Sequence, residues 1–204
     1  MKLTKAALTV LVLVSMVAVV LGVQLLLGAQ RRTVKTPVAS GKTFGVVDAR
    51  VNIEEFTDFQ CPACANAAVI LHEEMKKEGA HIFVELKYFP LAMHKHGLRA
   101  AVAAQCALEQ SKFWAMQDML FRTQQVWSIS PDPTDHFLSL ARGIGIDEDK
   151  MMRCMSDKAT ESKIEADVKE GRHLGVNATP TFFVNGKMAV GGANFQAVLK
   201  EALK

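Results

Sequence analysis

The sequence predicts an α/β fold: a central mixed sheet flanked by helices, interrupted by an all-helical insertion and preceded by an N-terminal membrane-spanning segment. Three observations carry that prediction. Residues 51–57 and 82–89 alternate as strands do, on either side of helical spacing over 65–77. Residues 98–174 read almost wholly helical, and Ala6 to Ala29 contains no charge. A strand, helix, strand order makes a parallel pair joined by a helix the economical arrangement.

The apolar run Ala6–Ala29 has Thr9, Ser15 and Gln24 as its polar interruptions. At about 1.5 Å per residue it crosses the roughly 30 Å hydrocarbon core of a bilayer. Lys2 and Lys5 ahead of an apolar run also describe a secretory signal peptide, whose apolar region is usually only about 7–15 residues long. The present run is longer and lacks a small-x-small cleavage site, so residues 1–30 are expected to be an uncleaved signal anchor, with a soluble product after cleavage as the alternative. Either reading exports the chain. Lysines and arginines flank the run on both sides, which leaves its orientation open.

Of the 204 residues, 50% are hydrophobic and 22% charged, enough for one substantial core. The formal net charge is +3, to which Lys2 and Lys5 contribute two charges. The remainder is nearly neutral and offers no electrostatic case for nucleic acid. Four cysteines, all beyond the apolar run, suit disulfide chemistry in an exported chain.

Residues 31–45, rich in Lys, Thr, Pro, Ser and Gly, read as a linker. Val51, Ile53 and Glu55 share one strand face and Phe56 supplies the other, as in a strand covered on both sides. Ala68, Leu71 and Met75 recur at helical spacing, and Ile82, Val84, Leu86 and Tyr88 share one parity. The helical stretch is broken near Ser111, at Pro131 and Pro133, and around residues 143–147. Thr181–Val184 is a compact strand, Asn185-Gly186 a hairpin turn signal, and Lys187–Val190 the return strand. A final helix, 194–203, is expected with Asn194 as its cap. The domains expected are thus residues 46–97 with 175–204, and the insertion 98–174.

Chemistry concentrates at Cys61-Pro62-Ala63-Cys64. Two intervening residues at a helix start bring the Cα atoms within the roughly 4.4–6.8 Å that a disulfide requires. Pro62 suits the first helical position, where its missing N–H costs little. Cys61 then faces unsatisfied N–H groups and the positive end of the helix dipole, which favour thiolate over thiol. Cys61 is expected to form a mixed disulfide with substrate, and Cys64 to resolve it one turn on. Half of a zinc site is the competing reading, but no second Cys pair supplies the two missing ligands. No metal and no cofactor are expected. Glu55 shares parity with Val51 and Ile53 and should point inward, where burial raises its pKa and lets it relay the Cys64 proton; a structural ion pair or a solvated residue is the alternative. Glu54, of opposite parity, is the control. Pro180 at a strand entrance is compatible with a plain edge breaker or with a cis bond.

Taken with Glu55 upstream and Thr179-Pro180-Thr181-Phe182-Phe183-Val184-Asn185-Gly186 downstream, the Cys61–Cys64 motif resembles the DsbA-like branch of the thioredoxin superfamily. Asp58-Phe59-Gln60, Phe89-Pro90-Leu91, Lys112-Phe113-Trp114 and Asp118-Met119-Leu120-Phe121 strengthen the match, which covers about residues 44–204. The resemblance implies a thioredoxin fold with an inserted helical domain and a cis Pro180 packed on the active-site cysteines. It also implies that the Thr179 backbone pairs with an extended substrate strand. Ala63 departs from the best-known oxidase of the family, which carries His there, and Thr179 is similar to the isomerase members.

Cys106 and Cys154 fall on apolar helical faces and should both be buried, either as free thiols or as a structural disulfide; the resemblance favours the bridge. His94 and His96 are expected to be solvated or helix-capping. Met116, Met119, Met151, Met152 and Met155 suit a core better than a peptide groove. Trp114 and Trp127 should anchor the insertion.

The function expected is thiol–disulfide exchange on exported cysteine-containing proteins, as an oxidase served by a membrane redox partner. The domain is expected in the cell envelope, periplasmic or otherwise extracytoplasmic, and tethered through residues 6–29. An isomerase or reductase kept reduced, and a non-catalytic peptide-binding or chaperone-like module, are the alternatives.

Overall fold

The computed structural model describes residues 14–22 and 38–204, which fall into two units. In the first, residues 14–22 are helical. Most of the expected anchor lies outside the described residues, and among those described no helix is long and apolar enough to cross a membrane.

In the second unit the chain runs β1 (Val38–Ser40), β2 (Thr43–Gly45), β3 (Val51–Thr57), α1 (Pro62–Glu78) and β4 (Ile82–Tyr88). Seven helices or turns of helix follow: α2 (Gly97–Glu109), α3 (Phe113–Arg122), α4 (Gln124–Trp127), α5 (Thr134–Gly143), α6 (Glu148–Ser156) and α7 (Lys158–His173), then, after β5 (Thr181–Val184) and β6 (Lys187–Val190), α8 (Gly192–Ala202). The six strands form one sheet in the order β1-β2-β4-β3-β5-β6. β3 and β4 are parallel, with Val51 opposite Ile82 and Thr57 opposite Tyr88, and the other neighbours are antiparallel.

The alternation in β3 sends Val51, Ile53 and Glu55 to the α1 face. There Val51 and Ile53 pack with Ala67, Leu71 and Met75 of α1, Val84, Phe182 and Val184 of the sheet, and Phe195 and Leu199 of α8. Phe56 points the other way, edge-on to Phe89 and Phe183. Helix α7 closes over that face: a Cβ on Gly171 would come within 2.8 Å of the Phe56 and Phe89 rings, so close approach of helix to sheet requires glycine there. The last helix of the expected insertion therefore covers the sheet as well as bounding the helical domain. The helices of the insertion, α7 included, enclose a core that includes Ala100, Cys106, Phe113, Met116, Trp127, Phe137, Met151 and Ile164.

Four expectations are corrected. The linker expected over 31–45 gives way from residue 38 to the β1–β2 hairpin, whose Thr43, Phe44 and Gly45 pair with Glu85, Val84 and Phe83 of β4. Its strands are only three residues long, too short to show a period, and the long-range pairing, invisible to local pattern, holds them. The final helix starts at Gly192 after Gly191, and Asn194 donates from Nδ2 to the Val190 carbonyl from within the first turn. Cys154 is half-buried, not buried, although it is joined to the fully buried Cys106 in a disulfide. Met116, Met151 and Met155 lie in the core, whereas Met152 is exposed.

Candidate active site

Helix α1 starts at Cys61 for local reasons. Pro62 occupies its first turn, Cys61 is extended (φ −79°, ψ 120°), and its carbonyl accepts from the N–H groups of Cys64 and Ala65. No acidic residue in the first turn offsets the positive end of the helix. Cys61 retains 7% exposure ahead of exposed Pro62 and Ala63, and Cys64 has none; both are free thiols.

The two thiols are driven apart. The Cys64 thiol beside it is the largest influence holding Cys61 down, to about 5; burial opposes this, and the Cys64 and Ala63 N–H groups and Thr179 add to the lowering. Cys64 goes the other way, well above its ordinary value, chiefly because burial penalises its thiolate and secondarily because of Cys61. The Asp58 N–H reaches Cys64 Sγ at 3.5 Å.

From 118 residues downstream, the turn into β5 lies against this pair. The Thr179–Pro180 bond is cis, and Cys61 Sγ donates to the Thr179 carbonyl at 3.4 Å. The Gly191 N–H donates to the Pro180 carbonyl at 2.8 Å, which ties this turn to the start of α8. Glu55 is fully buried beneath α1, opposite Leu86 and Phe182 in the sheet, and neither carboxyl oxygen has a hydrogen-bond partner among the described residues. Burial pushes its pKa up to about 7, against a weaker pull from the Thr57 hydroxyl, which falls short of hydrogen-bond geometry. Glu54, the opposite-parity control, is only half-buried; burial pushes its pKa up, with Lys87 opposing.

A supporting network escaped sequence reasoning. Buried Asp58 accepts the Gln60 N–H at Oδ1 (2.8 Å) and the Leu91 N–H at Oδ2 (2.7 Å), and His94 Nδ1 lies 2.7 Å from Oδ2. Gln60 reaches into the helical domain, accepting the His96 N–H and donating to the Ser128 carbonyl. Gln124 returns the connection, donating from Nε2 to the carbonyls of Phe59 (2.7 Å) and Cys61 (3.0 Å). The active-site loop is thus clamped between two layers. His94 serves that clamp through its side chain and is not simply solvated; His96 is buried at the N-cap position of α2, where its ring makes no cap bond and its Nε2 pairs instead with the Ser130 carbonyl. Polar residues next to the motif, Asp58 and Gln60, were the available signal, but apart from each other their partners stand more than 30 positions away. Among the described residues, no group of three or more His, Cys, Asp or Glu is arranged to hold a metal ion.

Cys106 and Cys154 lie in the helical domain as a disulfide between α2 and α6, apart from the Cys61 cluster.

Comparison with known proteins agrees with this geometry. The fold is shared with alpha-DsbA1 from Wolbachia pipientis (TM-score 0.68, 21% identity, 81% of this chain and 92% of that one). It is shared equally with oxidised BdbD from Bacillus subtilis (TM-score 0.69, 20% identity, 83% and 99%). A curated relative, the Na(+)/H(+) antiporter NhaA 3 of Salinispora tropica, is 32% identical over 155 residues, 76% of this chain. This chain spans 23% of that protein's length. The family model described as Thioredoxin matches residues 38–204. With a helix-capping cysteine pair, a cis proline against it and the sheet order above, this chain belongs to the thioredoxin family and has the fold of its DsbA-like thiol–disulfide oxidoreductases.

Proposed function

We propose that this chain is a disulfide-forming oxidase of exported proteins, with Cys61 as the exchanging sulfur and Cys64 as the resolving one. The observation that carries the proposal is the opposite displacement of the two thiols, Cys61 down to about 5 and Cys64 well up. A stable Cys61 thiolate stabilises the dithiol form, and a pair whose reduced form is stabilised is an oxidant.

In the oxidised protein a substrate thiolate attacks Cys61 Sγ, the Cys61–Cys64 bond breaks and Cys64 leaves as a thiolate that takes up a proton. A second substrate thiolate then attacks the substrate sulfur of the mixed disulfide, and Cys61 leaves as its stable thiolate. Two electrons pass from substrate to enzyme, and a membrane redox partner removes them. Glu55, buried and protonated near neutrality, exchanges the Cys64 proton. Thr179 and Pro180 receive the substrate as an extended strand beside Cys61. The Cys106–Cys154 bridge supports an oxidising, extracytoplasmic location, and the uncharged run over residues 6–29 supports a tether.

Mixing stoichiometric oxidised protein with a reduced, unfolded multi-cysteine substrate tests this. Disulfides should appear in the substrate as Cys61 and Cys64 are reduced; offered a disulfide-bonded substrate instead, the Cys61 thiolate of Cys64→Ser should attack that bond and remain trapped as a mixed disulfide while the other substrate sulfur leaves as a thiolate. Absence of transfer would sink the oxidase reading. Thr179 before the proline favours isomerase activity as a second reading, which requires that the reduced protein restore activity to a scrambled substrate.

A further inference from the structure

On β3 the inward position after Glu55 is Thr57, 1% exposed, with an Oγ1 that has no hydrogen-bond partner among the described residues. Its hydroxyl lies close enough to lower both the Glu55 carboxyl and the Cys64 thiol, yet meets hydrogen-bond geometry with neither. The sheet register sets Leu86 and Phe182 opposite Glu55 and Tyr88 opposite Thr57, and Leu86 and Tyr88 share a buried cluster with Cys61, Cys64 and Ala68. Burial holds the Tyr88 phenol well above its ordinary pKa, so it stays neutral, and no charged side chain is among the causes of the Glu55 shift. A buried hydroxyl without a partner costs free energy and calls for an explanation. A hydroxyl both donates and accepts, so one placed between two acids conducts a proton by accepting from one while donating to the other.

We infer that Thr57 is the relay through which Cys64 and Glu55 exchange a proton. When Cys64 leaves as a thiolate, the Thr57 O–H proton passes to Cys64 Sγ and the Glu55 carboxyl proton passes to Thr57 Oγ1. The products are the Cys64 thiol, an unchanged threonine hydroxyl and the Glu55 carboxylate, which regains its proton from solvent. When Cys64 resolves a mixed disulfide the same two protons move in reverse. This rests on the Glu55 role proposed above and deepens it.

Reaction of the reduced protein with dithionitrobenzoate separates the steps, because the first thionitrobenzoate released reports attack by Cys61 and the second reports resolution by Cys64. Thr57→Val should slow the second release about a hundredfold, the lower end of what a positioned acid–base group contributes, and move its pH profile upward. The first release should be unchanged, and the melting temperature equal or higher, since an unpaired buried hydroxyl has been replaced by a methyl. Thr57→Ser should restore the second release, and Thr57→Ala should repeat the Thr57→Val result. An unchanged second release in Thr57→Val, or equal slowing in Thr57→Ser, would overturn the relay. If Glu55→Gln slows the second release while Thr57→Val does not, Thr57 alone is wrong; if Thr57→Val slows it and Glu55→Gln does not, the Glu55 role is wrong.

Discussion

The Cys61 thiol is held down to about 5 because the Cys64 thiol, the first N–H groups of α1 and the Thr179 hydroxyl favour its thiolate over the cost of burial. Thiolate absorbance should therefore titrate with a midpoint near 5, and Cys64→Ala should raise that midpoint by removing the largest stabilising neighbour. Glu55 is raised from 4.5 to about 7, so the stability it contributes is fully present below pH 4.5 and is lost as pH rises to about 7. That loss is on the order of 3 kcal/mol. Urea unfolding at pH 5 and pH 8 should show it in the wild type, and Glu55→Gln should flatten the difference. Strand parity alone pointed Glu55 inward, and the helix-start geometry of Cys61 was legible from Pro62. The convergence of Thr179–Pro180 on Cys61 was legible only through resemblance, since 118 residues separate them. Thr57, which continues the inward parity of Glu55, was readable by the same rule, but its value depends on an unpartnered hydroxyl that influences both Glu55 and Cys64, which no spacing reveals.

Among the elements, β3, α1 and β4 were readable because each carries a long single-period apolar pattern. The β1–β2 hairpin was not, because three-residue strands of Val, Ala, Ser, Thr, Phe and Gly carry no period and depend on β4 for their place. The clamp between Asp58, Gln60, His94 and Gln124 was hidden for a related reason: each bond spans layers. Helix α7 is more specific, since its approach to the sheet is fixed by one residue. Gly171→Ala should cost about 1–3 kcal/mol through overpacking against Phe56 and Phe89, outweighing the helix propensity gained, as chemical denaturation would register.

For the molecule as a whole, chemistry and structural support are divided between two cysteine pairs. The Cys106–Cys154 bond links α2 to α6 across a sequence separation of 48, and in the chain-entropy model it stabilises the fold by about 4 kcal/mol. Replacing both cysteines with alanine should lower the melting temperature while leaving the Cys61 exchange rate unchanged. The helical domain supplies Gln124 and the Ser128 carbonyl to the active-site loop, so the insertion holds the redox pair in place as well as enlarging the core. What the pair then does depends on its energy relative to other thiols. Equilibration of Cys61 and Cys64 with defined ratios of reduced and oxidised glutathione measures this directly. A reduction potential nearer the DsbA-like value of about −120 mV is the predicted result, and one near the thioredoxin value of about −270 mV would contradict the account.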